Sequence, residues 1–117
     1  MRIDDAAAQA MLPLPPATFH ILVALSSGDR HGYGIIQDVE ARTNGELRLS
    51  AGTLYRTIQR LLEQGLISEQ ARLVRGDDPR RRYYRLTSKG EKSLKAEAAK
   101  MRTLVNAAIA QRILGRS

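Results

Sequence analysis

The feature that most constrains the fold is the run Ser50–Leu94, in which a helical pattern is followed by two strand patterns and a second helical pattern. Within Ser50–Ile67 the apolar residues have the i, i+4, i+7, i+8 spacing of one buried helix face. These residues are Leu54, Ile58, Leu61 and Leu62. The opposite, polar face carries Thr53, Arg56, Thr57 and Arg60. Gly65 is placed to end this helix as a C-cap residue.

Two strand patterns follow this helix and flank a basic loop. Leu66–Val74 and Tyr83–Ser88 are rich in strand-forming residues, and the turn-rich segment Arg75–Arg82 separates them. A polar-faced helix followed directly by a basic hairpin is typical of a winged helix-turn-helix. The pattern therefore predicts a mainly α fold with a small β-hairpin, and it indicates binding to double-stranded DNA.

The segments before residue 50 predict two further helices. Ala17–Ser26 is apolar on most sides, which is typical of a helix at the centre of a core. His31–Gly45 is predicted as a shorter helix that buries Tyr33, Ile36 and Val39, and Ser50 is a good N-cap for the helix behind it. We expect an N-terminal extension over residues 1–13, for which a short helix is one interpretation, and a winged helix-turn-helix domain over residues 14–88.

Residues 89–117 are predicted to form a C-terminal dimerisation helix. Ser88 and Glu91 have the spacing of a capping box at its start. An apolar stripe follows, and it would leave too much apolar surface exposed on a single helix, so that pairing with a second copy of the chain is expected. The stripe consists of Leu94, Ala98, Met101, Leu104, Val105, Ala108 and Ile109.

The net charge of the chain, +7, is concentrated in its C-terminal part. Residues 75–85 carry five arginines and two aspartates, a net +3, and residues 86–117 carry seven basic and two acidic residues, a net +5. A basic excess of this kind favours a polyanionic partner that meets one end of the molecule.

Several function classes are not supported by the sequence. The chain has no cysteine, no apolar run long enough to span a membrane and no apolar signal core near its start, so we expect it to act in the cytoplasm. His20 and His31 lack a third ligand at a suitable spacing, and no nucleophile–base pair or phosphate-cradling glycine loop is visible. We therefore expect no metal, no cofactor and no catalytic activity.

Three motifs, in this order, resemble the PadR family of bacterial transcriptional regulators. They are GYGI at Gly32–Ile35, GTLYRTIQRLLEQGLI at Gly52–Ile67 and RYYRLTSKGEKSL at Arg82–Leu94. The resemblance covers roughly residues 14–96, and it implies a homodimeric repressor whose C-terminal helix forms the dimer, of the subgroup with a single such helix. The family usually has GYEI where this chain has Gly34, a helix-destabilising residue that costs up to about 1 kcal/mol.

The candidate DNA-contacting residues lie on the helix that begins after Ser50 and in the hairpin. On the helix they are Ser50, Thr53, Tyr55, Arg56, Thr57 and Arg60, and in and after the hairpin they are Arg80, Arg81, Arg82 and Lys89. Each has an alternative interpretation: plain capping for the hydroxyls at the helix start, packing for Tyr55, and a solvated surface for the arginines and the lysine. Strand alternation predicts that Arg81 points away from Arg80 and Arg82.

The predicted function is that of a dimeric repressor on a pseudo-palindromic operator, released from DNA by an unidentified small-molecule effector or other signal, as the resemblance implies. Phe19, Met101 and Leu104 are candidates to line an effector site, with an ordinary core role as the favoured alternative. Two other functions stay open: a winged helix that binds an acidic protein partner, and an architectural protein that binds DNA without sequence preference.

Overall fold

The structure, a computed structural model, describes residues 14–71, 78 and 81–115, and folds them into helices around one small sheet. The helices are α1 (Pro16–Ser26), α2 (Gly32–Arg42), α3 (Ala51–Glu63) and α4 (Ser88–Ala110). The strands are β1 (Arg30–His31), β2 (Ile67–Gln70) and β3 (Tyr83–Leu86). The predicted fold class, mainly α with a winged helix-turn-helix and a long C-terminal helix, is confirmed.

The sheet is antiparallel throughout and has the strand order β1-β3-β2. Ile67 pairs with Leu86 across the hairpin, and on the other side of β3 Arg30 pairs with Tyr84. The sequence patterns predicted longer strands than β2 and β3, and the tip of the hairpin, at residues 72–77 and 79–80, lies outside the described residues. Strand β1 was not predicted, because two residues are too few to show an alternating pattern.

The core is formed by α1 and by the inward faces of α2, α3 and the sheet. Ile21 and Leu22 on α1 are completely buried, which confirms the central position predicted for this helix. The other fully buried large apolar side chains are Ile35, Val39, Leu54, Leu61 and Leu66. The buried face predicted for α3 is thus largely confirmed, while its fourth member, Leu62, is partly buried at the edge of the core.

Local hydrogen bonds fix both ends of α3. At its start, the Ser50 side chain accepts a hydrogen bond from the Thr53 backbone N–H at 3.1 Å, as an N-cap does. At its end, Gly65 has φ +73°, and the backbone N–H of Leu66 reaches the carbonyl of Leu61 at 3.0 Å. This is a Schellman motif, in which glycine adopts the left-handed conformation at low cost. The predicted caps of this helix are both confirmed.

Helices α2 and α4 begin in the same way, each with a side chain that accepts a hydrogen bond from a glycine three residues on. His31 Nδ1 accepts from the Gly34 N–H at 3.1 Å, and Thr87 Oγ1 accepts from the Gly90 N–H at 3.0 Å. The prediction that Ser88 caps α4 is therefore wrong. Thr87 is the N-cap because its backbone N–H already bonds the Leu66 carbonyl at 3.1 Å, which anchors this residue just outside the helix.

The first turn of α4 is pressed against the turn that ends α3. An added Cβ on Gly90 would overlap the Leu66 carbonyl oxygen and would lie 3.0 Å from the Leu66 carbonyl carbon and 2.8 Å from Leu86 Cδ1. Backbone and core atoms surround the site, so the overlap could not be relieved by moving one flexible side chain. Glycine is required at this position so that the two segments can approach each other.

Gly90→Ala and Gly34→Ala form a matched pair, because both glycines occupy the third position of a capped helix. We expect Gly90→Ala to lower the free energy of unfolding by about 1–3 kcal/mol, the usual cost of overpacking. An added Cβ on Gly34 would make only an ordinary contact, 3.5 Å from the His31 ring. We expect Gly34→Ala to raise the same free energy by about 0.5–1 kcal/mol, because alanine has the higher helix propensity.

Urea unfolding of the two variants beside the wild-type chain measures both effects. Equal stability of Gly90→Ala and the wild type would contradict the close approach of α4 to Leu66. A destabilised Gly34→Ala would contradict the open surroundings of the α2 start.

Candidate nucleic-acid interface

The first three turns of α3 present hydroxyl and guanidinium groups to solvent. Ser50, Arg56 and Arg60 are exposed and Thr53 is partly exposed. The Ser50 hydroxyl also donates a hydrogen bond to Thr53 Oγ1 at 3.0 Å, so the two predicted contact residues hold each other at the helix start. Backbone N–H groups and hydroxyls at a helix N-terminus are suited to an anionic group such as phosphate.

Thr57 is not on the exposed face, although it was predicted there. It is only 8% exposed, and its hydroxyl donates to the Thr53 carbonyl oxygen at 2.8 Å. This bond back to the preceding turn satisfies the hydroxyl inside the protein and turns it away from solvent. The placement of Thr57 among the groups available to a partner was therefore wrong.

Two arginines directly before β3 line the same niche as Tyr55 of α3. Arg81 and Arg82 are both exposed. Arg82 forms an ion pair with Glu69 on the neighbouring strand, and that hydrogen bond raises the pKa of Arg82 above its ordinary value. Arg80 lies outside the described residues, so the predicted alternation of Arg80, Arg81 and Arg82 stays a prediction.

Arg85, a third basic residue of this hairpin, belongs to the other side of the structure. Its guanidinium donates two hydrogen bonds to the Asp29 carboxylate, at 3.0 and 2.9 Å. The hydrogen bond to Asp29 raises the pKa of Arg85 above its ordinary value. This pair links β3 to the segment after α1 and does not contribute to the surface formed by α3 and Arg81.

A concave niche of about 320 Å³ joins α3, the start of α2 and the hairpin. Tyr55 from α3, Tyr33 from α2, and Arg81 and Arg82 from the hairpin line it, together with His31 and Asp78. Tyr55 was predicted either to contact DNA or to pack, and it is 52% exposed. Its hydroxyl lies against the backbone of Gly32, where an added Cβ would be 2.5 Å away.

Tyr33 was predicted to be buried, and this prediction was wrong. The side chain is 62% exposed, whereas Val39 on the same helix is completely buried and Ile36 is partly buried, as expected. Tyr33 is the second residue of α2, at a point where the helix emerges from the core beside the hairpin. Helical periodicity gave no signal for this exposed position, because it does not show how far the core extends along a helix.

His31 supports the start of α2. Besides accepting the Gly34 N–H, its ring meets the Tyr83 ring edge to face with centroids 5.4 Å apart. Within residues 14–71, 78 and 81–115, no three His, Asp or Glu side chains are placed to hold an ion.

Lys89 is not brought together with the other candidate contact residues. Its ammonium group donates to the Gln64 carbonyl at 2.8 Å, at the C-terminal end of α3. That end is about 20 Å along the helix from Ser50, at 1.5 Å per residue.

Thr87 Oγ1 donates to the neighbouring Gly65 carbonyl at 2.7 Å, so α4 binds the end of α3 through side chains as well as backbone.

The predicted dimerisation stripe divides into two parts along α4. Leu94 is partly buried and packs against the core of its own chain, and its place in a dimer interface stays a prediction. Farther along, Met101 is 37%, Leu104 64% and Val105 45% exposed. Ala98 is also exposed, while Ala108 and Ile109 are partly exposed.

The three residues predicted to line an effector site are not in one cavity. Phe19 lines a groove between α1 and α4, together with Leu94 and Ala98, whereas Met101 and Leu104 do not belong to its lining. Met101 and Leu104 are exposed, so an ordinary core role within one chain is wrong for them, while their role in an effector site stays a prediction.

None of the described helices is long and apolar enough to cross a membrane.

Comparison with known proteins agrees with this architecture. The profile of the transcriptional regulator PadR-like family matches residues 21–96. An uncharacterized protein of Lysinibacillus sphaericus is 38% identical over 71 residues, which are 61% of this chain and 64% of that relative. The match thus spans less than two thirds of the relative's own length.

Solved structures show the same fold. A PadR family transcription regulator from Clostridium difficile is 25% identical and has a TM-score of 0.70, over 86% of this chain and 100% of that one. Bacillus subtilis PadR in complex with operator DNA is 22% identical, with a TM-score of 0.59, over 68% of this chain and 44% of that one. Since the family profile covers more than half of the sequence, this chain belongs to the PadR-like family of transcriptional regulators.

Proposed function

We propose that this protein is a homodimeric, sequence-specific DNA-binding repressor that acts in the cytoplasm by occupying a pseudo-palindromic operator. The observation that carries the proposal is one continuous surface that combines the exposed start of α3 with the exposed arginines of the hairpin. Tyr55 lies between the two parts. It is two residues after Thr53 on α3, and it lines the same niche as Arg81 of the hairpin.

The exposed groups of α3 suit the major groove of DNA. The helix has 13 residues and is bounded by firm caps, so it can enter the groove as a rigid unit. Arg56 and Arg60 would reach guanine edges or phosphates, while Ser50 and Thr53 at the helix start would meet a phosphate. Arg81 and Arg82, with Arg80, would lie along the minor groove or its flanking phosphates.

A solved relative supports DNA binding. Bacillus subtilis PadR, whose structure is in complex with operator DNA, has the same fold as this chain. For this chain we assign the DNA contact to its own exposed residues on α3 and in the hairpin.

The exposed apolar part of α4 supports a homodimer. Met101, Leu104 and Val105 form a cluster on the second half of the helix, and large apolar groups exposed in this way are typical of interfaces. Two copies joined along α4 would place two α3 helices in successive major grooves, about 34 Å apart. A ligand or signal that changes this spacing would release the DNA.

A binding titration at physiological salt tests the proposed function. It compares the duplex upstream of the gene for this protein with a scrambled duplex of equal length and composition. We expect a preference of about 10³ or more for the upstream duplex, with two chains per site, as specific regulators show.

Other outcomes of the titration would support the rival functions. Equal binding to both duplexes that falls steeply with salt would indicate an architectural DNA binder. Failure to bind either duplex would contradict the proposal and favour a protein-interaction role for the basic surface.

Substitutions on α3 and in the hairpin are expected to act differently. Arg56→Ala should weaken binding to the preferred duplex by about tenfold or more and reduce its preference over the scrambled duplex. Arg81→Ala should weaken binding to both duplexes alike and lower the slope of log affinity against log salt by about one. Fluorescence anisotropy over a series of salt concentrations measures both effects.

Lys95→Ala is the control for loss of one positive charge. Lys95 is exposed on α4 and pairs with Glu91 at 3.0 Å. It borders the groove between α1 and α4, whose lining includes no residue of α3. Its removal should leave affinity and preference almost unchanged. If Arg56→Ala and Arg81→Ala reduced affinity for the two duplexes to the same extent, the proposed division between base reading and phosphate contact would be wrong.

A further inference from the structure

The niche between α2, α3 and the hairpin is built from donors of hydrogen bonds. Tyr33 and Tyr55 contribute phenol groups, Arg81 and Arg82 contribute guanidinium groups, and Asp78 contributes a carboxylate at the same cavity. The donors therefore outnumber the acceptors. A group that carries negative charge on several oxygens, such as phosphate, fits such a lining better than a cation or an apolar ligand does.

Tyr33 is the residue whose position demands an explanation. A tyrosine that is 62% exposed beside a second tyrosine that is 52% exposed leaves much aromatic surface in contact with water. Neither ring contributes fully to the core, although both belong to helices whose other faces are well buried. The phenol hydroxyl is a good hydrogen-bond donor to an anionic oxygen, and tyrosine is among the residues that contact DNA phosphates.

Contacts among α2, α3 and the sheet form the walls of the niche. The Tyr55 hydroxyl lies close to Gly32, where an added Cβ would be 2.5 Å from it. His31 caps α2 two residues before Tyr33, and its ring packs against Tyr83 in the hairpin. Tyr84, which also lines the niche, is buried, and this burial raises its pKa above the ordinary value, with a further contribution from Glu69.

We propose that this niche binds a phosphate group, with Tyr33 and Tyr55 donating hydrogen bonds to its oxygens and Arg81 supplying the opposite charge. The expected source is the DNA backbone beside the groove entered by α3, so this inference rests on the proposed function and deepens it. Tyr33 on α2 would then contact the DNA backbone, in addition to the contact residues on α3 and in the hairpin. Arg82 also lines the niche, where it forms an ion pair with Glu69.

Asp78 gives the proposal a second consequence. Its carboxylate lines the niche and would repel a phosphate, while its backbone carbonyl accepts the Arg81 N–H at 3.0 Å and shapes the turn. Replacing the side chain by the neutral, isosteric asparagine preserves the turn and removes the repulsion. Asp78→Asn should therefore bind every duplex more tightly than the wild-type chain.

The first test compares Tyr33→Phe with the wild type on the upstream and scrambled duplexes. Loss of a hydrogen bond to a charged oxygen should weaken binding to both by about tenfold. The salt slope should stay unchanged, because no charge is lost, whereas Arg81→Gln should lower it by about 0.9. Ser26→Ala, which removes a hydroxyl from the end of α1, should bind as the wild type does.

The second test identifies the phosphate. Duplexes in which one phosphate at a time is replaced by an uncharged methylphosphonate are titrated with the wild type and Tyr33→Phe. At one position in each half-site, the replacement should weaken the wild type and abolish the difference between the two proteins. Equal binding of Tyr33→Phe and wild type to every duplex would overturn the proposal, as would a difference that persists at every position.

A third measurement separates this proposal from the proposed function. The chain has four tyrosines and no tryptophan, so its intrinsic fluorescence comes from Tyr33, Tyr55, Tyr83 and Tyr84 at or beside the niche. Inorganic phosphate is titrated against chloride at equal ionic strength. If the wild type binds no DNA but shows a saturable change that Tyr33→Phe lacks, the proposed function fails and the phosphate niche stands, with free phosphate esters as its ligands. Absence of both DNA binding and this change would overturn the niche.

Discussion

The contact between Gly90 and the Leu66 carbonyl is the constraint on which the rest of the structure depends. The turn after α3 and the first turn of α4 approach so closely that no side chain fits between them. Around this point, the carbonyls of Gln64, Gly65 and Leu66 accept hydrogen bonds from Lys89 and Thr87. The Gln64 carbonyl is one that the end of a helix leaves unpaired, and the other two belong to the turn that follows, so these bonds tie the start of α4 to the end of α3.

In the proposed dimer this junction would couple the position of α3 to that of α4. Its first half belongs to the core through Leu94 and the buried Glu97, which accepts the Leu14 N–H at 3.0 Å, while its second half carries the exposed apolar cluster. In the proposed dimer, α4 therefore connects the partner chain to the end of α3 without a flexible segment between them. Rotation of one α4 relative to the other would move each α3 together with its α4. The distance between the two α3 helices, which would contact the DNA, would then change.

Sequence patterns predicted the features that depend on neighbouring residues in the chain. Ser50 and Gly65 bracket α3 because capping is local, and the buried stripe follows from helical periodicity. Thr57 and Tyr33 were misplaced because burial at the edge of a helix face depends on what packs there, which periodicity does not show. Strand β1 and the Thr87 cap arise from pairing with β3 and from the contact with Leu66, both of which depend on tertiary structure.

The most direct test of the account is the distance between the two α3 helices in the free protein. The natural chain has no cysteine, so Gln59→Cys, at an exposed position on α3, allows one spin label per chain for double electron–electron resonance. A rigid dimer predicts one narrow distance distribution centred at about 34 Å, the separation of successive major grooves. The signal should disappear when Leu104→Asp is added. Absence of a dipolar signal in Gln59→Cys alone, or a broad distribution, would contradict two DNA-reading surfaces held at fixed spacing by α4.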